Sequence, residues 1–364
     1  MEVGAPLVTA GGAVANTGLA LHRLGVPVRL VARTGDDAFG SLLREVLRAA
    51  CPEDAVQLQR VAGEITSYSI VLSSAGTDRS FLHCPGANQE FASADVAADQ
   101  LGTARILHVG YPPLMRRLWQ DEGSELVHLF TRARQQGLAT SLDFALPDPA
   151  SPAALAAWDR ILARVLPVTD FFLPSIDEML LLLRRSEYLA SPCAPRCSIE
   201  IVSGLAEQLL QLGTFAVGLK LGARGMALFT HGPERLQAVG GRISLSPHWA
   251  SRAILQPGFA PSCVAGTTGA GDAAVAGFLA AIGAGTGPEM AARLACAVGC
   301  CSVEQADAVS GVPALAAVAA RLERGWPQQL EDRSRQDLPP AGFRWDAAQR
   351  CWQREVEPRI APRS

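Results

Sequence analysis

The stretch GTTGAGDAAVAGF, residues 266–278, places three glycines and two threonines ahead of a single acid, Asp272, and then becomes apolar. The apolar run predicts a helix that begins near Asp272. The first amides of a helix are unpaired and lie at the positive end of its dipole, so they attract anions. Two interpretations stay open for this stretch alone. It is either a phosphate-binding turn with Asp272 as a base for a hydroxyl proton, or a plain helix start with Asp272 as N-cap.

Other glycine-rich phosphate motifs fit this stretch less well. The Walker pattern GxxxxGK[ST] is absent from the chain. GAGDAA matches the dinucleotide fingerprint GxGxxG/A, which should follow an apolar strand and lead to an acid about 20 residues later. The preceding PSCVAGTT is a poor strand, and the next acid, Glu289, lies in a helical pattern. The sequence therefore disfavours a dehydrogenase.

Composition restricts the class of protein. The chain has 364 residues, of which 49% are hydrophobic and 18% charged, which predicts a globular protein with one large domain or two smaller ones. A formal net charge of −3 gives no reason to expect nucleic acid or an anionic membrane as partner. The first residues have no basic segment followed by a continuous apolar run, and the nine cysteines are scattered. We therefore expect a cytoplasmic protein with free thiols.

From residue 105 onward, strand-like and helix-like segments alternate, which predicts a mostly parallel sheet flanked by helices. The carboxyl ends of such strands share one edge of the sheet, where ligands bind. Two alternating runs joined through 73–78 predict a projecting hairpin. The charged segment from about 328 predicts a loosely packed tail without catalytic content. The predicted strands are 26–32, 66–72, 79–84, 105–110, 139–144, 170–174, 215–222 and 226–230; the predicted helices are 13–24, 39–49, one long helix ending near 136, and 176–183.

Together with other motifs, residues 266–278 resemble the second signature, D-T-x-G-A-G-D, of the ribokinase-like (PfkB) carbohydrate kinases. Four further segments resemble motifs of that family in the family's order, so the resemblance spans about residues 11–325. They are GGAVANTGLALHRLGVPVRLVARTGDDAFG (11–40, with G-G-x-x-x-N), CPGAN (84–88, the end of the lid), LPSIDE (173–178, P-N-x-x-E) and KLGARG (220–225, the strand and turn before the nucleotide).

The resemblance implies a three-layer α/β fold with a mostly parallel sheet flanked by helices and a small β lid. It implies a kinase domain over residues 1–327, a lid hairpin at about 62–88, and a charged tail over 328–364. The implied activity is ATP-dependent phosphorylation of a hydroxyl group on a sugar or sugar-like molecule, with Mg²⁺ to neutralise and orient the phosphates. It also implies a homodimer formed through the lid, for which the residues themselves give no signal.

Site roles follow from the resemblance, position by position. Asp272 is the implied base, and the amides of Gly269, Ala270 and Gly271 form the implied anion hole. Taken alone, Asn16 could be a solvated helix residue and Glu178 a surface charge at a helix start. The remaining implied ligands are Gly11, Gly12 and Asn16 for acceptor hydroxyls, Glu178 for Mg²⁺ through water, and Ser175, Lys220, Gly222, Gly225 and Thr267 for the nucleotide.

Tyr111, in HVGYPP, follows a predicted strand and could either stack on a ligand ring or pack against the protein. Both interpretations stay open.

Several positions depart from the family's pattern. The family's first strand, with a substrate-binding aspartate, lies well upstream of the GG pair, but only ten residues precede Gly11. An absent inner strand would expose a sheet edge, so a truncated start is favoured over a chain that lacks that strand. Gly266 replaces the leading aspartate of the second signature, Ser175 the asparagine of P-N-x-x-E, and Cys296 an asparagine near adenine.

Because Asp272 and the two glycines beside it remain, the leading hypothesis is a sugar kinase. A catalytically weak sugar- or nucleoside-binding protein on a kinase scaffold is the alternative from another class. A nucleoside kinase is the alternative among enzymes.

Overall fold

The strands and helices are taken from a computed structural model that describes residues 8–72, 80–190, 198–329 and 342–355. The strands in these ranges are β1 (Leu30–Gly35), β2 (Val56–Val61), β3 (Tyr68–Leu72), β4 (Ser80–Cys84), β5 (Ile106–Gly110), β6 (Ala139–Asp143), β7 (Phe171–Phe172), β8 (Ala216–Lys220), β9 (Met226–Thr230), β10 (Arg252–Gln256), β11 (Arg344–Asp346) and β12 (Cys351–Glu355). The helices are α1 (Gly12–Arg23), α2 (Ala38–Ala50), α3 (Ala98–Gly102), α4 (Arg116–Trp119), α5 (Ser124–Gln135), α6 (Trp158–Val165), α7 (Ile176–Leu183), α8 (Arg185–Ala190), α9 (Ile199–Gln211), α10 (Pro233–Gln237), α11 (Ala270–Gly283), α12 (Pro288–Val303) and α13 (Leu315–Glu323).

The main sheet has eight strands in the order β11-β12-β10-β9-β8-β7-β6-β5. Its β5–β8 half is parallel, as predicted, and every pair from β8 to β11 is antiparallel. The carboxyl ends of β5, β6 and β8 therefore lie at the same edge of the sheet. Gly110, Asp143 and Lys220 are the last residues of those three strands.

Two hydrophobic cores, one on each face of the main sheet, produce the three layers. Neighbouring residues of a strand point to opposite faces, so Phe172 packs into the core formed with α5, α6, α7 and α9, while Phe171 packs into the core formed with α11 and α12. All five residues of β6 are buried, as expected for a strand covered on both faces.

Two small sheets lie apart from the main sheet. β1 and β2 form a parallel pair, and β3 and β4 form the predicted antiparallel hairpin. The predicted connection of that hairpin, 73–78, lies outside the described residues. α1 packs closely against β5, because a Cβ on Gly110 would lie only 2.2 Å from the Cβ of Ala13.

The structure corrects two expectations. The long helix predicted to end near 136 is broken into α4, α5 and 3₁₀ turns, because Pro112 and Pro113 interrupt the start and residues 121–123 have positive φ. The part of the predicted tail within 342–355 is not loosely packed. It forms β11 and β12, which extend the main sheet from β10, and it buries Phe343 and Cys351.

None of the described helices is long and apolar enough to cross a membrane.

Candidate active site

The glycine turn before α11 leaves helix amides exposed. Gly269 adopts a left-handed conformation with φ of 79°, and a Cβ on it would lie 2.3 Å from the Cβ of Ala308, so only glycine fits. The amides of Ala270 and Ala273 bond the carbonyls of Thr267 and Gly269. Among the described residues, the amides of Gly271 and Asp272 have no backbone acceptor. The turn can therefore receive an anion.

Asp272 lies in the first turn of α11 and is buried, with 4% of its surface exposed. Its Oδ2 accepts hydrogen bonds from Asn16 Nδ2 at 3.0 Å and from Tyr111 Oη at 2.5 Å. Its Oδ1 accepts one from Thr17 Oγ1 at 3.1 Å. Asn16 and Thr17 belong to α1, so the packing of α1 against α11 brings the two sequence signatures together.

Tyr111 does more than pack against the protein, because its hydroxyl donates to Asp272. Its backbone is left-handed with φ of 66°, an uncommon conformation for a bulky residue. Burial and then the negative charge of Asp272 raise the pKa of Tyr111 well above its usual value. Tyr111 therefore remains a neutral donor. Its position after a strand was the sequence signal for a role in the site.

Lys220 and Asp143 form a buried ion pair at the ends of β8 and β6, with Nζ and Oδ1 2.5 Å apart. A Cβ on Gly271 would lie 3.5 Å from Lys220 Nζ, so the ammonium group lies beside the glycine turn. Burial raises the pKa of Asp143 despite Lys220, and the charges of Glu178 and Asp272 add to the increase. Burial alone would lower the pKa of Lys220, but Asp143 and Glu178 raise it overall.

The site therefore holds more negative than positive charge. Asp143, Glu178 and Asp272 all act electrostatically on the single lysine of the chain, Lys220. Asp143 was not singled out from the sequence, although its position at the end of a predicted strand was a usable signal.

Ser175 and Glu178 form a capping box at the start of α7. The Ser175 amide donates to Glu178 Oε2 at 2.6 Å, and the Glu178 amide donates to Ser175 Oγ at 3.2 Å. Glu178 is buried, with 7% exposed, so it is not a surface charge. A β-bridge between Ser175 and Lys220 places this capping box next to the lysine.

The glycines predicted to bind the acceptor or the nucleotide lie at two places, the start of α1 and the turn after β8. A Cβ added to Gly11, Gly12 or Gly222 would meet no atom of the described residues within 4 Å, so these positions border open space in that part of the chain. Gly225 instead lies tightly against residues 256–258, with φ of 103°. Thr267 is exposed at the edge of the glycine turn, and its contact with the turn is through its carbonyl.

Two of the residues that depart from the signatures, Gly266 and Cys296, make local contacts. The Gly266 amide donates to the carbonyl of Val303 at 3.3 Å, which supports the turn through the backbone. Cys296 Sγ lies 3.8 Å from the carbonyl oxygen of Gln256. Within the described residues, no group of three His, Cys, Asp or Glu side chains could hold a metal ion. Mg²⁺ typically binds to one or two carboxylates together with substrate phosphates, and the carboxylates near Lys220 fit that mode.

His108 on β5 was missed by the sequence interpretation. Its Nδ1 lies 3.0 Å from Ser141 Oγ, and its buried Nε2 has no partner among the described residues. Burial and the charge of Lys220 lower the pKa of His108 to about 3, so the ring is neutral. It adds no charge to the site.

Comparison with known proteins shows the family of this chain. A family model described as pfkB family carbohydrate kinase matches residues 1–315. A ribokinase of Arabidopsis thaliana is 26% identical over 305 residues, which cover 84% of this chain and 69% of that protein. Plant fructokinases also match, but the chain spans only about half of their length.

Solved structures show the same fold. The Arabidopsis thaliana ribokinase complexed with ribose and ATP has a TM-score of 0.65 at 22% identity, covering 86% of this chain and 88% of that one. A Burkholderia thailandensis nucleoside kinase in complex with inosine has a TM-score of 0.59 at 19% identity, covering 86% and 87%.

Proposed function

This chain belongs to the pfkB family of carbohydrate kinases, and from that premise we propose that it transfers the terminal phosphoryl group of ATP to a hydroxyl group of a sugar or sugar-like molecule. The observation that supports this most directly is the position of Asp272. A buried carboxylate lies in the first helical turn, beside the unpaired amides of the same turn. That arrangement can remove a proton from a hydroxyl while an anion is bound next to it.

In the proposed reaction Asp272 accepts the proton of the acceptor hydroxyl as its oxygen attacks the phosphorus. The amides of the turn formed by Gly269, Ala270 and Gly271 stabilise the charge on the transferred group. Lys220 lies beside Gly271 and supplies a positive charge at the same place. The bond between phosphorus and the bridging oxygen of ATP breaks, and ADP leaves.

The acceptor is proposed to bind near Asn16, Gly11 and Gly12. Asn16 Oδ1 is buried and has no hydrogen-bond partner among the described residues, so it is available to a hydroxyl donor. The two glycines border open space, which leaves room for a ligand. An acceptor with several hydroxyl groups fits a site that has one unpaired oxygen, Asn16 Oδ1, and space beside the two glycines.

The nucleotide is proposed to lie along the turn after β8, with Gly222, Gly225, Ser175 and Thr267 at its border. Mg²⁺, when bound with ATP, would neutralise phosphate charge and orient the phosphate oxygens. Glu178 is the proposed acid for Mg²⁺ through water. Its proximity to Lys220 and its charge support that assignment.

We also propose that residues 1–327 hold the catalytic part of the kinase domain, whose main sheet is extended by residues 344–355, and that the kinase acts in the cytoplasm, where ATP is available. A homodimer through the lid is part of the proposal. Ile70, Leu72 and Leu82 are each at least half exposed on the two-stranded hairpin. Ile70 is paired directly with Leu82, so these side chains share one face of the hairpin. A second copy would cover that apolar face, and sedimentation of a Leu82→Glu variant as a monomer would test this.

The test of function is a coupled ADP assay with Mg·ATP and D-ribose, D-fructose or inosine as acceptor. Wild type should release ADP with at least one acceptor, and Asp272→Asn should lower kcat by about 10²- to 10⁴-fold. Asp159→Asn, which also removes a carboxylate from a first helical turn, should keep full activity. Near-wild-type turnover by Asp272→Asn would exclude Asp272 as the base.

Inosine tests the nucleoside kinase alternative, which the fold similarity to a nucleoside kinase supports. The binding-protein alternative rests on Gly266 and on Ser175, whose amide already occupies one oxygen of Glu178. Calorimetric binding of ATP and an acceptor without ADP release would favour this alternative over an enzyme.

A further inference from the structure

The two carboxylate oxygens of Asp272 are occupied unequally. Oδ2 accepts from both Asn16 and Tyr111, whereas Oδ1 accepts from Thr17 alone among the described residues. A carboxylate oxygen accepts about two hydrogen bonds in its plane. Oδ2 is therefore saturated by protein donors, and Oδ1 retains one position for a further donor.

Tyr111 is held rigidly in this arrangement. Its amide donates to the carbonyl of Asp143 at 3.0 Å, which fixes it to the end of β6, and its carbonyl accepts from Leu114 at 2.9 Å. Pro112 and Pro113 follow directly and restrict the backbone. A left-handed tyrosine is strained and persists only where its surroundings enforce it.

We propose that Tyr111 is a positioning residue for phosphoryl transfer, one that fixes Oδ2 of Asp272 so that Oδ1 receives the proton of the acceptor hydroxyl. This inference rests on the proposed function, in which Asp272 is the base. The hydroxyl of Tyr111 keeps its own proton and donates a hydrogen bond throughout. It orients the carboxylate and excludes water from Oδ2.

Several charged groups surround Tyr111 and Asp272 and bear on the pH dependence of the proposed reaction. Asp143 at the end of β6, Lys220 on β8 and Glu178 on α7 lie near Asp272 and Tyr111, and the contacts from α1 are the uncharged Asn16 and Thr17. Removing the hydroxyl of Tyr111 takes a donor from the ionised carboxylate and leaves these charges in place. The ionised carboxylate of Asp272 is then stabilised by one hydrogen bond fewer.

The test compares Tyr111→Phe with wild type in the ADP assay, using Mg·ATP and whichever of D-ribose, D-fructose or inosine wild type phosphorylates. We expect kcat to fall by about 10- to 100-fold with little change in the KM for ATP. The acid limb of the kcat/KM profile should move to higher pH. Tyr188→Phe, which removes a phenol hydroxyl on α8, should change neither kcat nor the acid limb of the kcat/KM profile.

A purely structural role would lower the unfolding midpoint of Tyr111→Phe without moving the pH profile, and that result would overturn the proposal. Wild-type kinetics in Tyr111→Phe would overturn it as well. An inactive wild type would instead contradict the proposed function, so the two failures are distinguishable. As a check on the contact, Tyr111→Phe and Asp272→Asn should shift the unfolding midpoint non-additively; additive shifts would show that the two side chains do not interact.

Discussion

The parallel strands have a buried carboxylate at each end, and the two carboxylates differ in the charges that surround them. Asp170, just before β7, accepts from Arg134 Nη1 at 2.9 Å and from the Thr140 amide at 3.0 Å, with Arg235 Nη2 3.5 Å away. Two cations therefore surround one anion at the amino end. At the carboxyl end, Asp143 shares the single cation Lys220 with two further carboxylates.

This difference separates a structural ion pair at one end of the strands from the candidate site at the other. Asp170 is fully buried and saturated by partners, which suits a fixed arrangement that locks the strands to α5 and α10. The carboxyl end has an excess of negative charge, and Asn16 Oδ1 has no hydrogen-bond partner among the described residues. The first amides of α11 have no acceptor within that helix. Under the proposed function, a hydroxyl compound, a phosphate and a cation would satisfy these groups.

The largest expected effect concerns stability. Asp170→Asn should lower the free energy of unfolding by about 3–5 kcal/mol, because it leaves two partly buried arginines without their buried counter-charge. Asp143→Asn should lower it by less, because Glu178 and Asp272 still act on Lys220. Urea unfolding followed by circular dichroism measures both. Equal losses of unfolding free energy would show that the two carboxylates contribute equally to stability.

The second prediction removes one cation at each end of the sheet. Lys220→Met should lower kcat/KM for ATP by about 10²-fold, because it removes the positive charge beside the glycine turn. Arg235→Met, at the opposite end of the sheet, should reduce stability and leave kcat of the folded enzyme unchanged. Steady-state kinetics at 20 °C on both variants, corrected for the folded fraction, provide the comparison. A loss of kcat in Arg235→Met would contradict the assignment.

The third prediction concerns two neighbouring glycines. Gly269→Ala should lower stability by roughly 1–3 kcal/mol, because it forces positive φ and a clash with Ala308. Gly271→Ala should fold normally, since its methyl group would make ordinary contact with Lys220. That methyl group would nevertheless narrow the anion site and raise the KM for ATP. Thermal unfolding and kinetics distinguish the two effects, and an unstable Gly271→Ala would contradict this assignment.

The smallest expected effect is on pH dependence. Because burial raises the pKa of Asp143 in the folded state, the folded protein binds a proton more tightly there than the unfolded chain does. Stability should therefore fall as the pH rises above about 4, where the unfolded group ionises. Asp143→Asn should flatten this decline between pH 4 and 8. Unfolding midpoints measured across that range test the sign, and an unchanged slope would exclude Asp143 as its source.

The sequence predicted most of the architecture and the position of the acid at the centre of the candidate site. Residues 266–278 carry the glycines, the acid and the apolar helix together, so local conformational preferences indicate the turn and α11 directly. The helix bounds of α1, α2 and α7 differ from prediction by at most one residue. Short or interrupted elements were harder to predict. β2 and β10 were missed, and the segment before α5 was taken as helix because its turns depend on backbone conformations that periodicity does not reveal.

The sequence by itself determined that this chain is an α/β kinase-like protein with a glycine turn that leads into a helix at Asp272, because these properties are encoded in contiguous residues. Only the tertiary structure decided which side chains surround that carboxylate. Tyr111 is 161 residues from Asp272 along the chain, and Thr17 is 255 residues away. Such contacts depend on how α1, β5 and α11 pack together, and the local pattern around each residue carries no information about that packing. The pairing of Lys220 with Asp143 was decided in the same way, by neighbouring strands that end at one edge of the sheet.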